Sequence, residues 1–70
     1  MSNKLKATLM GARMEGDCFA VFVRCGQAGF EILAHPSIFS GRLSPGDRVT
    51  IEYEESGHPL TGPYLAIYPA

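Results

Sequence analysis

Seventy residues, 46% of them apolar and 19% charged, leave room for one hydrophobic core and exclude a second domain, while lacking the low hydropathy and high charge of a disordered chain. A net charge of −1 excludes bulk electrostatic attraction to nucleic acid or to a membrane surface. No stretch approaches the ~18 apolar residues of a membrane-spanning helix.

Eight glycines and five prolines break the chain at short intervals. No segment keeps apolar residues at i, i+3, i+4 and i+7, so long helices are not expected. Lys4 to Met10 alternates instead, with Leu5, Ala7 and Leu9 on one face and Lys6, Thr8 and Met10 on the other, which predicts a half-buried first strand. After a turn signal at Glu15-Gly16-Asp17, the aromatic and β-branched run Cys18 to Cys25 suits a well-buried second strand. Gly26-Gln27-Ala28-Gly29 has the length and the glycines of a hairpin loop, and predicts an antiparallel third strand from Phe30 to His35. Pro36 cannot donate to a ladder and ends that strand, and Ser37 to Ser40 suits a short helical turn. Leu43 to Asp47 reads as a turn before the fourth strand, Arg48 to Glu55, which alternates Val49, Ile51 and Tyr53 with Thr50, Glu52 and Glu54. Ser56-Gly57-His58-Pro59 is expected to break it. Beyond Gly62-Pro63 a fifth strand, Tyr64 to Tyr68, sets Leu65 and Ile67 opposite Tyr64, Ala66 and Tyr68.

Five short strands in so small a chain predict an all-β fold closed, or nearly closed, into a barrel, because closure hides edges that invite pairing with other molecules. Periodicity leaves the choice open between an oligonucleotide/oligosaccharide-binding (OB) barrel and an SH3-like one. Cys18 and Cys25 lie seven positions apart in one expected strand, roughly 23 Å along it. A disulfide needs Cα atoms within about 7 Å, so both are expected as free thiols, in keeping with a reducing compartment. With no secretory leader discernible, a soluble cytoplasmic protein is expected.

Three segments in order carry a resemblance. Ile32-Leu33-Ala34-His35-Pro36-Ser37-Ile38, then Leu43-Ser44-Pro45-Gly46-Asp47-Arg48-Val49, then Gly62-Pro63 resemble the bacterial cold-shock domain, an OB-fold barrel that binds single-stranded RNA and DNA. The family's third-strand motif V-F-V-H-x-S is similar to Ile32 through Ser37, matching at His35 and Ser37. Its L-x-E-G-x-x-V-x-F-E pattern resembles Leu43 through Glu52, which retain Leu43, Gly46, Val49 and Glu52, and its opening K-G-T-V resembles Lys6-Ala7-Thr8-Leu9. The resemblance implies a small five-stranded antiparallel OB barrel over residues 1–70. Departures fall on the stacking rings. Gly11 and Ala12 stand where the family has a Trp-Phe pair, and Leu33 stands at the phenylalanine of the third-strand motif. The family's K-G-F-G-F core is matched by Phe19 only if one residue is inserted before it; without that insertion Cys18 takes the aromatic position and Phe22 becomes the exposed ring.

Single-stranded nucleic acid requires outward rings beside cations that track phosphates. Residues 1–30 carry +2, from Lys4, Lys6, Arg13 and Arg24 against Glu15 and Asp17, whereas residues 31–70 carry −3. The expected binding set is Lys4, Lys6, Arg13, Phe19, Arg24, Phe30, His35 and Phe39, on strands one to three. The bland alternatives are that Phe19 or Phe22 fills the core, since a small barrel turns every second residue inward, and that His35 merely bonds its neighbours at a strand end. Glu52, Glu54 and Glu55 suit a solvated face, and Tyr53, Tyr64 and Tyr68 suit core or rim positions with hydroxyls in water. Neither a nucleophile-elbow motif nor a paired metal-ligand spacing is present, so no enzyme, cofactor or metal is expected. The competing functional expectation is a protein-interaction module that keeps the barrel and has lost nucleic-acid binding.

Overall fold

The computed structural model describes residues 2–70, and all of its strands belong to one antiparallel sheet. Their bounds are β1 (Ser2–Glu15), β2 (Cys18–Cys25), β3 (Ala28–Ala34), β4 (Arg48–His58) and β5 (Gly62–Pro69), with a 3-10 turn, η1 (Pro36–Ile38), after β3. Their order across the sheet is β3-β2-β1-β4-β5. The two hairpins on the β1 side are tighter than the sequence suggests. Glu15 pairs with Cys18 and Cys25 with Ala28, leaving two-residue loops that each open on a positive-φ glycine, Gly16 at 64° and Gly26 at 65°. Glycine at the first central position suits a turn whose twist matches the flanking strands. Ala28 and Gly29, expected in a loop, therefore belong to β3, and His35 falls just beyond it.

Strand lengths and faces depart from expectation at two bulges. Leu9 pairs with Val23 but Gly11 with Phe22, so Met10 is the extra residue, and β1 continues past the bulge to Glu15 rather than ending at Met10. On β5, Glu52 faces Ala66 while Tyr53 faces Tyr64, which leaves Leu65 unpaired. A bulge resets the two-residue alternation. Leu65 is consequently exposed and Tyr64 packs against the core, the reverse of the expected pairing of Leu65 with Ile67. β4 also runs through the first three residues of the expected break Ser56-Gly57-His58-Pro59 and stops only before Pro59, and His58 pairs with Gly62. Gly57 allows this because a Cβ there would lie 2.6 Å from the Gly62 carbonyl oxygen.

The core collects one face of every strand. Ala7, Leu9, Val21, Val23, Ile32, Val49, Ile51 and Ile67 form a single buried cluster. Ile32 and Ile67 belong to opposite edges of the strand order and still meet in it, so the sheet bends back on itself. Closure stops short of a ladder between β3 and β5. Phe39 makes an isolated parallel bridge to Ile67, and the Ser40 N–H donates to the Ile67 carbonyl at 3.0 Å, so the segment after η1 covers the β5 edge. The turn before β4 docks on the β1 bulge: the Leu9 N–H donates to the Asp47 carbonyl at 2.8 Å and the Gly46 N–H to the Leu9 carbonyl at 2.7 Å. Cys18 and Cys25 are free thiols at the two ends of β2. Among the described residues no helix is long and apolar enough to cross a membrane.

Candidate nucleic-acid-binding face

With Val21, Val23 and Ile32 turned into the core, alternation sends Cys18, Ala20, Phe22 and Arg24 of β2 and Gly29, Glu31 and Leu33 of β3 to the opposite face. On β1, Lys4, Lys6 and Thr8 point the same way. The Met10 bulge keeps the pattern in phase by bringing Gly11 and Arg13 to the outside, opposite Phe22 and Ala20. At the centre of this face Phe22 is 47% exposed and, diagonally across, Leu33 is 57% exposed.

The expected binding set is thereby divided. Lys4, Lys6, Arg13 and Arg24 share the outer face with Phe22. Phe19, Phe30 and Phe39 lie on the inner side and pack against the core cluster, and the Phe19 and Phe39 rings meet edge to face with centroids 5.4 Å apart. With Leu9, Ala12, Val21, Gly41 and Leu43 those two rings line a shallow apolar groove of about 320 Å³ at one end of the sheet. His35 caps η1: its Nδ1 accepts from the Ser37 N–H at 3.1 Å and lies 2.8 Å from the Ser37 hydroxyl. Leu33, Gly11 and Glu31 are outward residues missing from the expected set. Phe22, outside that set, is the ring that the ungapped match to the family's second-strand core leaves exposed, and it lies outward here between the inward Val21 and Val23.

The cations differ in their engagement. Arg13 is held by two carboxylates, Nη2 to Glu15 Oε2 and Nη1 to Glu31 Oε2, both at 3.1 Å. Arg24 donates from Nε to the Gly26 carbonyl at 3.2 Å and makes no ion pair among the described residues. Lys4 faces Glu52 across the β1–β4 pair, whereas Lys6 faces the neutral Thr50. Arg48 of β4 pairs with the outward Thr8 and adds a further cation to this face, and beyond it along β4 the face turns acidic with Glu52 and Glu54.

At that acidic boundary the Tyr68 hydroxyl donates to Glu52 Oε1 at 2.6 Å and the Ser2 hydroxyl donates to Oε2 at 3.2 Å. Tyr68 and Tyr64, whose hydroxyl donates to the Pro59 carbonyl at 2.7 Å, thus bond within the protein where water was expected. The Tyr68 hydrogen bond is the main cause holding the Glu52 carboxyl below its ordinary value, ahead of Ser2 and the Lys4 charge and against a desolvation effect. The same bond, with burial and the Glu52 charge, pushes the Tyr68 phenol up. A depressed carboxyl contributes stability that is present above its unfolded pKa and lost as pH falls through the folded one; a raised phenol contributes below its unfolded pKa and loses it as pH rises through the folded one. Tyr68→Phe is expected to move the Glu52 titration upward, read by carboxyl-carbon NMR; an unmoved Glu52 contradicts the assignment of the shift to that bond.

Protein-family models, curated proteins and solved structures contain no match to this chain.

Proposed function

We propose that this chain is a cold-shock-like OB barrel that binds single-stranded RNA or DNA weakly and with little dependence on sequence overall, through the outer face of β1, β2 and β3. It is a binding protein rather than an enzyme, and its free thiols suit a reducing cytoplasm. One observation carries the proposal: Phe22 stands half exposed in the middle of a sheet face that also bears Arg24, Arg13, Lys6 and Lys4, while the core occupies the other face. A ring in that setting offers a base its π-face, and the cations beside it offer the phosphates their counterions. The barrel type draws support from five strands in the order β3-β2-β1-β4-β5 with an incomplete closure, because the OB fold is a partly open five-stranded barrel that binds oligonucleotides over strands two and three.

Among the described residues Phe22 is the one ring on the β1–β3 part of the face, so affinity is limited to about the 1–3 kcal/mol of one stacked base plus phosphate contacts. Fluorescence anisotropy with labelled heptauridylate tests the reading. With roughly two to three phosphates neutralised by Lys6, Arg24 and Lys4, affinity is expected to fall about tenfold between 50 and 200 mM salt. Absence of binding at millimolar protein, or an affinity indifferent to salt, overturns it.

A further inference from the structure

We infer that Glu31 reads the base stacked on Phe22 and biases the site toward guanine over uracil, an inference that rests on the binding face proposed above. Glu31 is the direct cross-strand partner of Phe22. Directly opposed side chains of an antiparallel pair have Cβ atoms about 5 Å apart, so the carboxylate flanks the ring where the edge of a stacked base projects. The other flank is Gly11, where a Cβ would meet nothing within 4 Å. That opening gives the base room to lie flat across β1.

Arg13 sets the orientation of the carboxylate. It binds Glu31 Oε2 through Nη1 while its Nη2 is taken by Glu15, which keeps the Glu31 side chain directed across the face. Among the described residues Oε1 has no hydrogen-bond partner. A carboxylate only accepts hydrogen bonds. The Watson–Crick edge of guanine presents N1–H and N2–H side by side, two adjacent donors that a carboxylate matches. Adenine and cytosine each present an amino donor next to an acceptor nitrogen, and uracil presents one N–H between two carbonyl oxygens that a carboxylate repels. The expected order is guanine first and uracil last. Because the Glu31 side chain is 37% exposed, water competes for it, and the preference belongs at the low end for a base-specific pair, about fivefold.

Anisotropy titrations of heptauridylate and of UGUGUGU, at labelled-RNA concentrations low enough to keep the strands single, test the inference on the wild type and on Glu31→Gln. The wild type is expected to bind UGUGUGU at least about fivefold more tightly than heptauridylate, and the variant to bring that ratio below about twofold. The variant should also bind heptauridylate more tightly, having lost a negative charge beside the phosphates. Equal wild-type affinities, or a ratio unchanged by the substitution, overturn the inference and leave the binding face standing. Failure of both RNAs to bind overturns the binding face, and the inference with it.

Discussion

Alanine at Ile51 is expected to cost a large share of the protein's stability and to lower its thermal midpoint by about 10 °C or more. Ile51 is fully buried on β4, paired with Leu5 of β1 on one side and Ile67 of β5 on the other, so its side chain joins the two halves of the core. Truncating a buried isoleucine costs about 2–5 kcal/mol, the transfer loss adding to the cavity left behind. A domain of this size commands only about 3.5–10 kcal/mol of stability. Each kcal/mol shifts the midpoint by roughly 4–8 °C at this chain length, so Ile51→Ala should lower Tm by at least about 10 °C in a thermal melt followed by circular dichroism. A drop under about 5 °C would show that the core is organised around other residues.

Phe22→Ala should have the opposite signature. The ring stands on the outer face with Gly11 on one side and Glu31 on the other, and it fills no part of the buried cluster. Removing it forfeits cross-strand contacts of about 0.2–1 kcal/mol, a few degrees in Tm at most. Binding should suffer far more. Loss of one stacked base weakens affinity by about 5- to 150-fold, and for a site whose only outward ring is Phe22 a value near tenfold or beyond is expected. Phe19→Ala is the informative control, because its ring packs against the core and edge-on to Phe39. It should lower Tm markedly while the folded protein retains its affinity. Undiminished oligonucleotide binding by a folded Phe22→Ala variant removes the ring from the site.

The sequence revealed the strands better than their faces. Alternation in Leu5-Ala7-Leu9 and in Val49-Ile51 located two core stripes directly, and Gly16 and Gly26 marked the hairpins. What period-2 reading could not foresee were the bulges at Met10 and Leu65, since an extra residue is invisible to a pattern that assumes perfect register. The second of these exchanged Leu65 and Tyr64 between solvent and core. Ser56-Gly57-His58-Pro59 reads as a break because glycine and proline both weaken strands, yet only Pro59 ends β4, and the close approach of the Gly62 carbonyl needs a residue without Cβ at 57. Within the candidate site, the four cations follow from charge counting, and the structure puts them on one face. Composition offers Phe19, Phe30 and Phe39 as aromatic residues near basic ones, but which side of a strand a ring takes depends on its phase relative to Val21, Val23 and Ile32. The same phase selects Phe22. Glu31 and Gly11 acquire meaning only through the register that sets them beside it, which no local pattern encodes.

The central claim, that single-stranded nucleic acid lies on the outer face of β1 to β3, is tested most directly by intermolecular NOEs between a short oligonucleotide and the protein's side chains. Contacts from base and ribose protons to the Phe22 ring and the Leu33 methyl groups, with none to the Phe19 and Phe39 rings, are the predicted result. Contacts confined to the Phe19 and Phe39 groove or to the acidic β4–β5 surface, or no contacts at millimolar oligonucleotide, would contradict it.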